Sequence, residues 1–321
     1  IVILSEGSLP TEDIYFFKSA APFFSRIDNI DCIRINCMSI LVRPRVLKRC
    51  IYRNAHLIIT RSIPLHWLEF LEENKCLFSS ITYLIDDDFS ANFEELSSNL
   101  PLDYTMKISN KYLLQKRIIH LVDTIVTSCQ HLESKFSSLH DRVFVLPPSF
   151  IHKLPKLDHF NSALNNIIYP GTRSHMADLN AIVSSLVDLG ARKSVVNQTK
   201  VTFFLGSHLP LILRKQIFVE NNKPMSWNNF IKFQASHRFH IGLSPLLDTP
   251  FNRGRSWNKF FDITAFGAVG IYSNRSPYKD IVSDGANGLL AFDDTLSWHE
   301  ALLRLIHYPN DTMKMAKAAR K

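Results

Sequence analysis

The sequence predicts an α/β protein of two α/β/α domains, each built around a parallel sheet, and three observations carry that reading. The chain has 321 residues, 46% of them hydrophobic, which exceeds one ordinary core and suits two domains of about 150 residues each. Strand-like apolar runs alternate with helical patterns along the whole length, as βα units require. The alternation stops at Pro147 and Pro148, crosses a polar, irregular stretch at 149–165, and then restarts. This places a first domain at 1–160 and a second at 161–321. With 10 Gly and 15 Pro, fibrous and disordered architectures fit poorly.

Taken in order, residues 1–4 form an unbroken apolar run and read as the first strand. A helical pattern follows at 11–24, with Thr11 placed to cap it. Residues 32–35 and 56–60 are further strands, 67–73 a helix, and 80–85 a strand that runs into Asp86, Asp87 and Asp88. A long helix at 107–121, a strand at 124–127, a helix at 129–136 and a strand at 143–146 complete the first half. In the second half the strands fall at 166–169, 201–205, 240–244, 268–272 and 289–292. The helices there fall at 175–189, 226–236, 256–266, 278–283, 295–307 and 312–321, the last expected to cross back onto the first domain. Ligands of open parallel sheets bind beyond the carboxyl ends of the strands. The loops to inspect therefore follow Leu4, Thr60, Ile85, Tyr169, Leu205, Ser244 and Tyr272, in an expected cleft between the domains.

The formal charge of +8 and pI near 9.2 draw the chain toward phosphates or anionic lipid. No basic-aromatic motif supports nucleic acid as a partner. The short cluster Arg43, Arg45, Lys48, Arg49 and Arg53 reads either as a solvated helix face or as a docking face for an anionic membrane. The five cysteines, Cys32, Cys37, Cys50, Cys76 and Cys129, form no CxxC pair, which argues for reduced thiols in a cytoplasmic protein. No stretch reaches the roughly 18 apolar residues of a membrane span, and no secretory leader is visible. Residue 1 already lies in a strand-like run, which leaves the true start of the chain open.

The most informative segment is Asn252-Arg253-Gly254-Arg255-Ser256-Trp257-Asn258-Lys259-Phe260-Phe261-Asp262. If Ser256 caps a helix, Arg255 enters just before it, and Lys259 and Asp262 share one helical face. Two cations and free helix N–H groups suit a diphosphate, and a carboxylate one turn further in suits ribose hydroxyls. The bland alternative is a surface Lys–Asp pair, which is common and weak. Gly171 and Thr172 lie between a strand and a helix, where backbone N–H groups approach a phosphate, although an ordinary βα turn looks the same. His175 reads as a neighbour of that site or as a structural hydrogen-bonder. Asp86, Asp87 and Asp88 have three readings: a metal site, an acceptor-hydroxyl contact or base, and a cap on the next turn. Glu6-Gly7-Ser8 could shape an acceptor side, residues 220–227 a base-recognition loop, and Trp227 or Trp257 could flank a base or sugar or pack in the core.

The second half resembles a known family. His240-Ile-Gly-Leu-Ser-Pro-Leu followed by Asn258-Lys-Phe-Phe-Asp-Ile-Thr-Ala-Phe-Gly-Ala-Val-Gly-Ile-Tyr-Ser273 looks like the C-terminal signature of the GT-B retaining glycosyltransferases of family 4. Asp284-Gly-Ala-Asn-Gly-Leu-Leu290 resembles the turn and strand that follow it there, and Ile168-Tyr-Pro-Gly-Thr-Arg-Ser-His175 the first strand and turn of the nucleotide domain. The likeness covers roughly 166–308; in the first half the best matches are Tyr83-Leu-Ile-Asp-Asp-Asp88 and Asp123-Thr-Ile-Val-Thr-Ser128.

The resemblance implies a GT-B fold of two Rossmann-like domains facing a cleft, with Lys259 on the donor phosphates and Asp262 where the family has a ribose-binding glutamate. Family members often carry a second glutamate eight positions earlier, where this chain has Gly254. The expected catalytic set is Asp86, Asp87, Arg255 and Lys259. The expected donor-binding set is Gly171, Thr172, His175, Arg255, Ser256, Lys259 and Asp262. No cofactor or metal is expected, the donor being a nucleotide diphosphate sugar and the acceptor a glycan or a lipid-linked sugar of bacterial surface polysaccharide. The rivals are a GT-B nucleotide-sugar epimerase and a catalytically inactive sugar-nucleotide or glycan-binding protein, which the Gly254 departure keeps in play.

Overall fold

The computed structural model describes residues 1–7, 10–27, 30–48, 54–96 and 102–321. Ser8, Arg49, Cys50 and Arg53 lie outside the described residues. The chain forms two compact units: one comprises Ile1–Ile151 with Thr249–Ser256, and the other His152–Asp248 with Trp257–Lys321. The first division falls after Ile151, and a short segment of the second half returns to the first unit.

Among its described residues the first unit holds six strands: β1 (Val2–Ser5), β2 (Ile33–Asn36), β3 (His56–Thr60), β4 (Ser80–Ile85), β5 (Thr124–Thr127) and β6 (Val143–Val145). All pairings are parallel, in the order β2-β1-β3-β4-β5-β6. The second unit holds β7 (Asn165–Ile168), β8 (Thr199–Phe203), β9 (Val219–Asn221), β10 (Ile241–Ser244), β11 (Val269–Ser273) and β12 (Leu289–Ala291), also all parallel, in the order β12-β11-β10-β7-β8-β9. Winding reverses between β1 and β3 in one sheet and between β7 and β10 in the other. These are the topological switch points, where a crevice opens at the carboxyl ends of the strands.

Continuous apolar runs were the right signal because both faces of each sheet are covered. Successive side chains of a strand point to opposite faces. Accordingly Ile167 and Ile271 join a core with Leu186, Trp298 and Leu302, whereas Ile168 and Tyr272 join a separate core with Phe260, Ile263 and Phe266. The first unit packs Leu4, Leu57, Ile59, Trp67, Tyr83, Ile125 and Leu132 together.

Four local expectations are corrected. Residues 11–24 are broken into Pro10–Glu12, a π-helical turn Asp13–Phe17 and Ala21–Phe24, and Thr11 is committed to a distant carboxylate rather than to a cap. The helix expected at 175–189 is likewise divided into Met176–Asn180 and Val183–Gly190. The three-residue edge strand β9 has no apolar alternation to betray it, and it takes up the start of the expected base-recognition loop: Asn221 accepts from Leu205 N at 3.3 Å and donates to Gly206 O at 2.7 Å. The last helix, Pro309–Ala318, lays Met315 and Ala316 into the core of the second unit itself. Among the described residues, no helix is long and apolar enough to cross a membrane.

Candidate functional site

The second unit builds its candidate site at the β7–β10 switch point. The helix Asn258–Ala265 comes down closely on the sheet because β10 has Gly242 beneath it; a Cβ there would meet Ile263 Cγ1 at 2.5 Å. Phe260 and Ile263 face the core, which turns Lys259 and Asp262 to the neighbouring face. Lys259 Nζ donates to the carbonyl of Pro170, just past β7, at 2.9 Å and pairs with Asp262 Oδ2 at 2.9 Å. Asp262 is 7% exposed, and its other oxygen accepts from Gln234 Nε2 at 3.2 Å. The pair is therefore an anchored unit, with the ammonium held at the strand end, and not the loose surface pair that spacing alone allowed.

The turn after β7 is shaped by Tyr169. Its buried ring lies where a Cβ on Gly171 would fall, and its hydroxyl donates to His175 O at 2.9 Å. Only glycine fits at 171, and the backbone there follows the ring closely. Thr172 and Ser174 are exposed at the turn, their hydroxyls 2.9 Å apart. His175 Nδ1 lies 3.0 Å from Asp178 Oδ2, and Asp178 Oδ1 accepts from Leu247 N at 2.9 Å. The buried Asp178 thus ties the loop after β10 to the helix after β7 and fixes His175 with its Nδ1 protonated. Asp178 stands three positions from His175, a helical spacing that could have flagged it. Gln234 carried no comparable signal.

The first unit gathers a second polar centre at its own switch point. Arg61 follows β3 with φ +59°, a conformation a non-glycine residue holds only where surroundings impose it. Its guanidinium pairs with Asp86 Oδ1 at 3.2 Å and with Asp87 Oδ2, while Tyr83 Oη donates to its carbonyl at 2.6 Å. Thr11 Oγ1 donates to Asp86 Oδ2 at 2.6 Å. Burial pushes the Asp86 carboxyl above the ordinary carboxylate range, with Arg61 opposing the shift. Asp88 does different work: it accepts from Ala91 N at 3.0 Å, capping the helix Phe89–Leu96, and pairs with Lys135 Nζ at 2.7 Å. Asp86 and Asp87 share Arg61, whereas Asp88 turns to Ala91 and Lys135, so the three aspartates do not converge on one centre. Arg61 had no sequence signal, since nothing local marks an arginine that must enter the left-handed region.

Ser256 does not cap the helix, and Arg255 turns away from its start. The helix begins at Asn258 with Trp257 before it and no side-chain cap, and Ser256 Oγ lies 3.3 Å from Tyr15 Oη in the first unit. Arg255 Nη1 donates to Asp87 Oδ1 at 2.5 Å and stacks over the Phe251 ring at 4.3 Å. An ion pair with a buried carboxylate outcompetes exposure at a helix mouth, so Arg255 completes the Asp86–Asp87–Arg61 cluster. Gly254 packs beside it: a Cβ there would meet Leu132 Cδ2 at 3.1 Å and Asp88 Cβ at 3.3 Å. A glutamate at this position would be crowded by both, which gives the departure from the family pattern a steric reason.

No protein-family model matches the sequence, and comparison with curated proteins found no significant match. Solved structures do match its fold. HepE of Anabaena, in complex with UDP and glucose, superposes with a TM-score of 0.63 at 9% identity, over 99% of this chain and 93% of that one. WaaG, a glycosyltransferase involved in lipopolysaccharide biosynthesis, gives 0.60 at 11% identity, over 100% and 94%. UDP-GlcNAc 2-epimerase from Neisseria meningitidis, bound to UDP-GlcNAc, gives 0.52 at 13% identity, over 98% and 93%. At such identities the likeness establishes the fold: two six-stranded parallel sheets with their helices, the two-domain GT-B architecture.

Proposed function

We propose that the chain is a glycosyltransferase that takes a sugar from a nucleotide diphosphate sugar and passes it to a glycan or lipid-linked acceptor. The carrying observation is Lys259, held by Asp262 and the Pro170 carbonyl at the switch point of the second sheet. In this reading Lys259 and backbone N–H groups around Gly171 and Thr172 take the donor phosphates, with His175 held alongside by Asp178. Asp262 positions Lys259 and offers its remaining lone pairs to the ribose. As the glycosidic bond breaks, negative charge grows on the leaving diphosphate, and Lys259 stabilises it in place. Asp86 and Asp87, whose charges Arg61 and Arg255 balance, serve the acceptor side. Retention of anomeric configuration and membership of family 4 follow the motif resemblance, and a role in bacterial surface polysaccharide assembly is supported by the likeness to WaaG.

The epimerase likeness supports a second reading, release of an epimerised sugar with no acceptor. Calorimetry with UDP, GDP and ADP, followed by product analysis of the matching nucleotide sugars with and without glycan acceptors, separates the two. Absence of nucleotide binding, or binding unchanged in Lys259→Ala, defeats the donor site. Epimer release without acceptor would replace the transferase by the epimerase.

A further inference from the structure

Between Asp31 and Glu69 the chain contains no acidic residue, yet it carries Arg34, Arg43, Arg45, Lys48, Arg49, Arg53 and Arg61. Arg34 and Arg61 are bound to carboxylates of their own unit. Arg43, Arg45 and Lys48 are exposed around the short helical turn Pro44–Val46 that follows β2. Directly before them Met38 is 57% exposed, Ile40 84% and Leu41 89%.

This loop is anchored. Leu47 is fully buried, and Val42 and Val46 pack against the core of the unit. Met38 N donates to Asn36 Oδ1 at 2.9 Å, and Val42 N to Ser39 O at 3.1 Å. The fold therefore secures the segment by some aliphatic side chains while turning others outward. A scattered exposed leucine needs no explanation, but adjacent Ile and Leu, both almost wholly exposed and followed by three exposed cations, form a patch of defined chemistry.

We propose that the loop at 38–48 docks the chain peripherally on an anionic bilayer. Met38, Ile40 and Leu41 enter the boundary between headgroups and acyl chains, and Arg43, Arg45 and Lys48 meet the lipid phosphates. A second copy of the chain is a poor occupant, since a two-fold contact would set this cationic rim against itself. The inference stands apart from the donor site and does not need it.

The test is co-sedimentation of the full chain with phosphatidylcholine vesicles, with and without phosphatidylglycerol, at low and high salt. The expected result is binding to the anionic vesicles only, weakened by salt. Arg43→Ala/Arg45→Ala should weaken it by about tenfold, since each cation near a charged surface contributes on the order of a several-fold gain. Ile40→Glu/Leu41→Glu should abolish it. All four positions are exposed, so the melting temperature should stay at the wild-type level, which shows that the variants are folded. No binding to anionic vesicles, equal binding to neutral ones, or unaltered binding by the folded variants overturns the proposal. So does a concentration-dependent dimer that Ile40→Glu/Leu41→Glu dissolves, for then a second copy covers the patch.

Discussion

Lys259 Nζ lies 2.9 Å from the carbonyl oxygen of Pro170, so a helix residue is pinned to the end of β7 where the second sheet changes winding direction. Asp262 shares the ammonium, and Gln234 holds Asp262 in turn. In the proposed reading, a cation restrained from both sides would meet phosphate without reorganising, the condition under which electrostatic stabilisation is most effective.

Lys259→Ala should therefore lose roughly a hundredfold or more in turnover, the usual scale for removing one preorganised charge donor. Asp262 would be left buried without its cation, so a stability loss of about 1–3 kcal/mol should accompany it. Lys259→Arg separates the two effects, keeping the charge while changing its reach. Steady-state kinetics with the donor found by calorimetry, beside thermal melts, check both.

Gly171→Ala should destabilise by about 1–3 kcal/mol, because its Cβ falls on the buried Tyr169 ring and the turn must shift. Nucleotide affinity should drop with it, since the shift moves the backbone amides of Thr172. A variant with unaltered melting temperature would show that the turn yields freely.

Arg255→Ala removes the ion pair to Asp87 but leaves Arg61 on that carboxylate. The returning segment Thr249–Ser256 should then hold less tightly to the first unit. Amide exchange across 249–256 should rise several-fold while β4 stays protected, since local opening tracks the contacts that secure a segment. Unchanged exchange would leave Phe251 and Asn252 as the true anchors.

Stability should depend on pH through His159 and His240, which stack edge to face with ring centroids 5.0 Å apart. Burial lowers both, His159 to about 4 from an ordinary 6.5. The unfolded chain thus binds protons that the folded one refuses between pH 6.5 and about 4, so stability falls as pH drops through that window. For a half-buried ring the loss is on the order of 2 kcal/mol after allowance for solvent screening. His159→Gln keeps a donor for the Phe239 carbonyl and cannot titrate, so its melting temperature should fall less on acidification.

Glu12 acts in the opposite sense. Burial raises its carboxyl to about 7 from 4.5, so the folded state holds the proton more tightly and stability declines as pH rises through that interval. Glu12→Gln should raise the melting temperature at pH 8 relative to wild type, with Arg34 still paired to Asp13. A lower melting temperature there would show that the Arg34–Glu12 contact outweighs the burial of charge.

Much of the architecture was legible without coordinates. The apolar runs at 56–60, 80–85 and 124–127 coincide with β3, β4 and β5, because a strand buried on both faces writes itself as a local, unbroken pattern. Lys259 and Asp262 were legible as a pair for the same reason, three positions apart on one helix. The sequence could not announce that Arg255 reaches Asp87, 168 positions away, or that Arg61 adopts a left-handed backbone to stand between Asp86 and Asp87. Periodicity reports which face of its own segment a residue occupies. Which charge lies opposite is settled only when distant segments of the first unit pack together, and there the need to pair buried carboxylates decided where the arginines went.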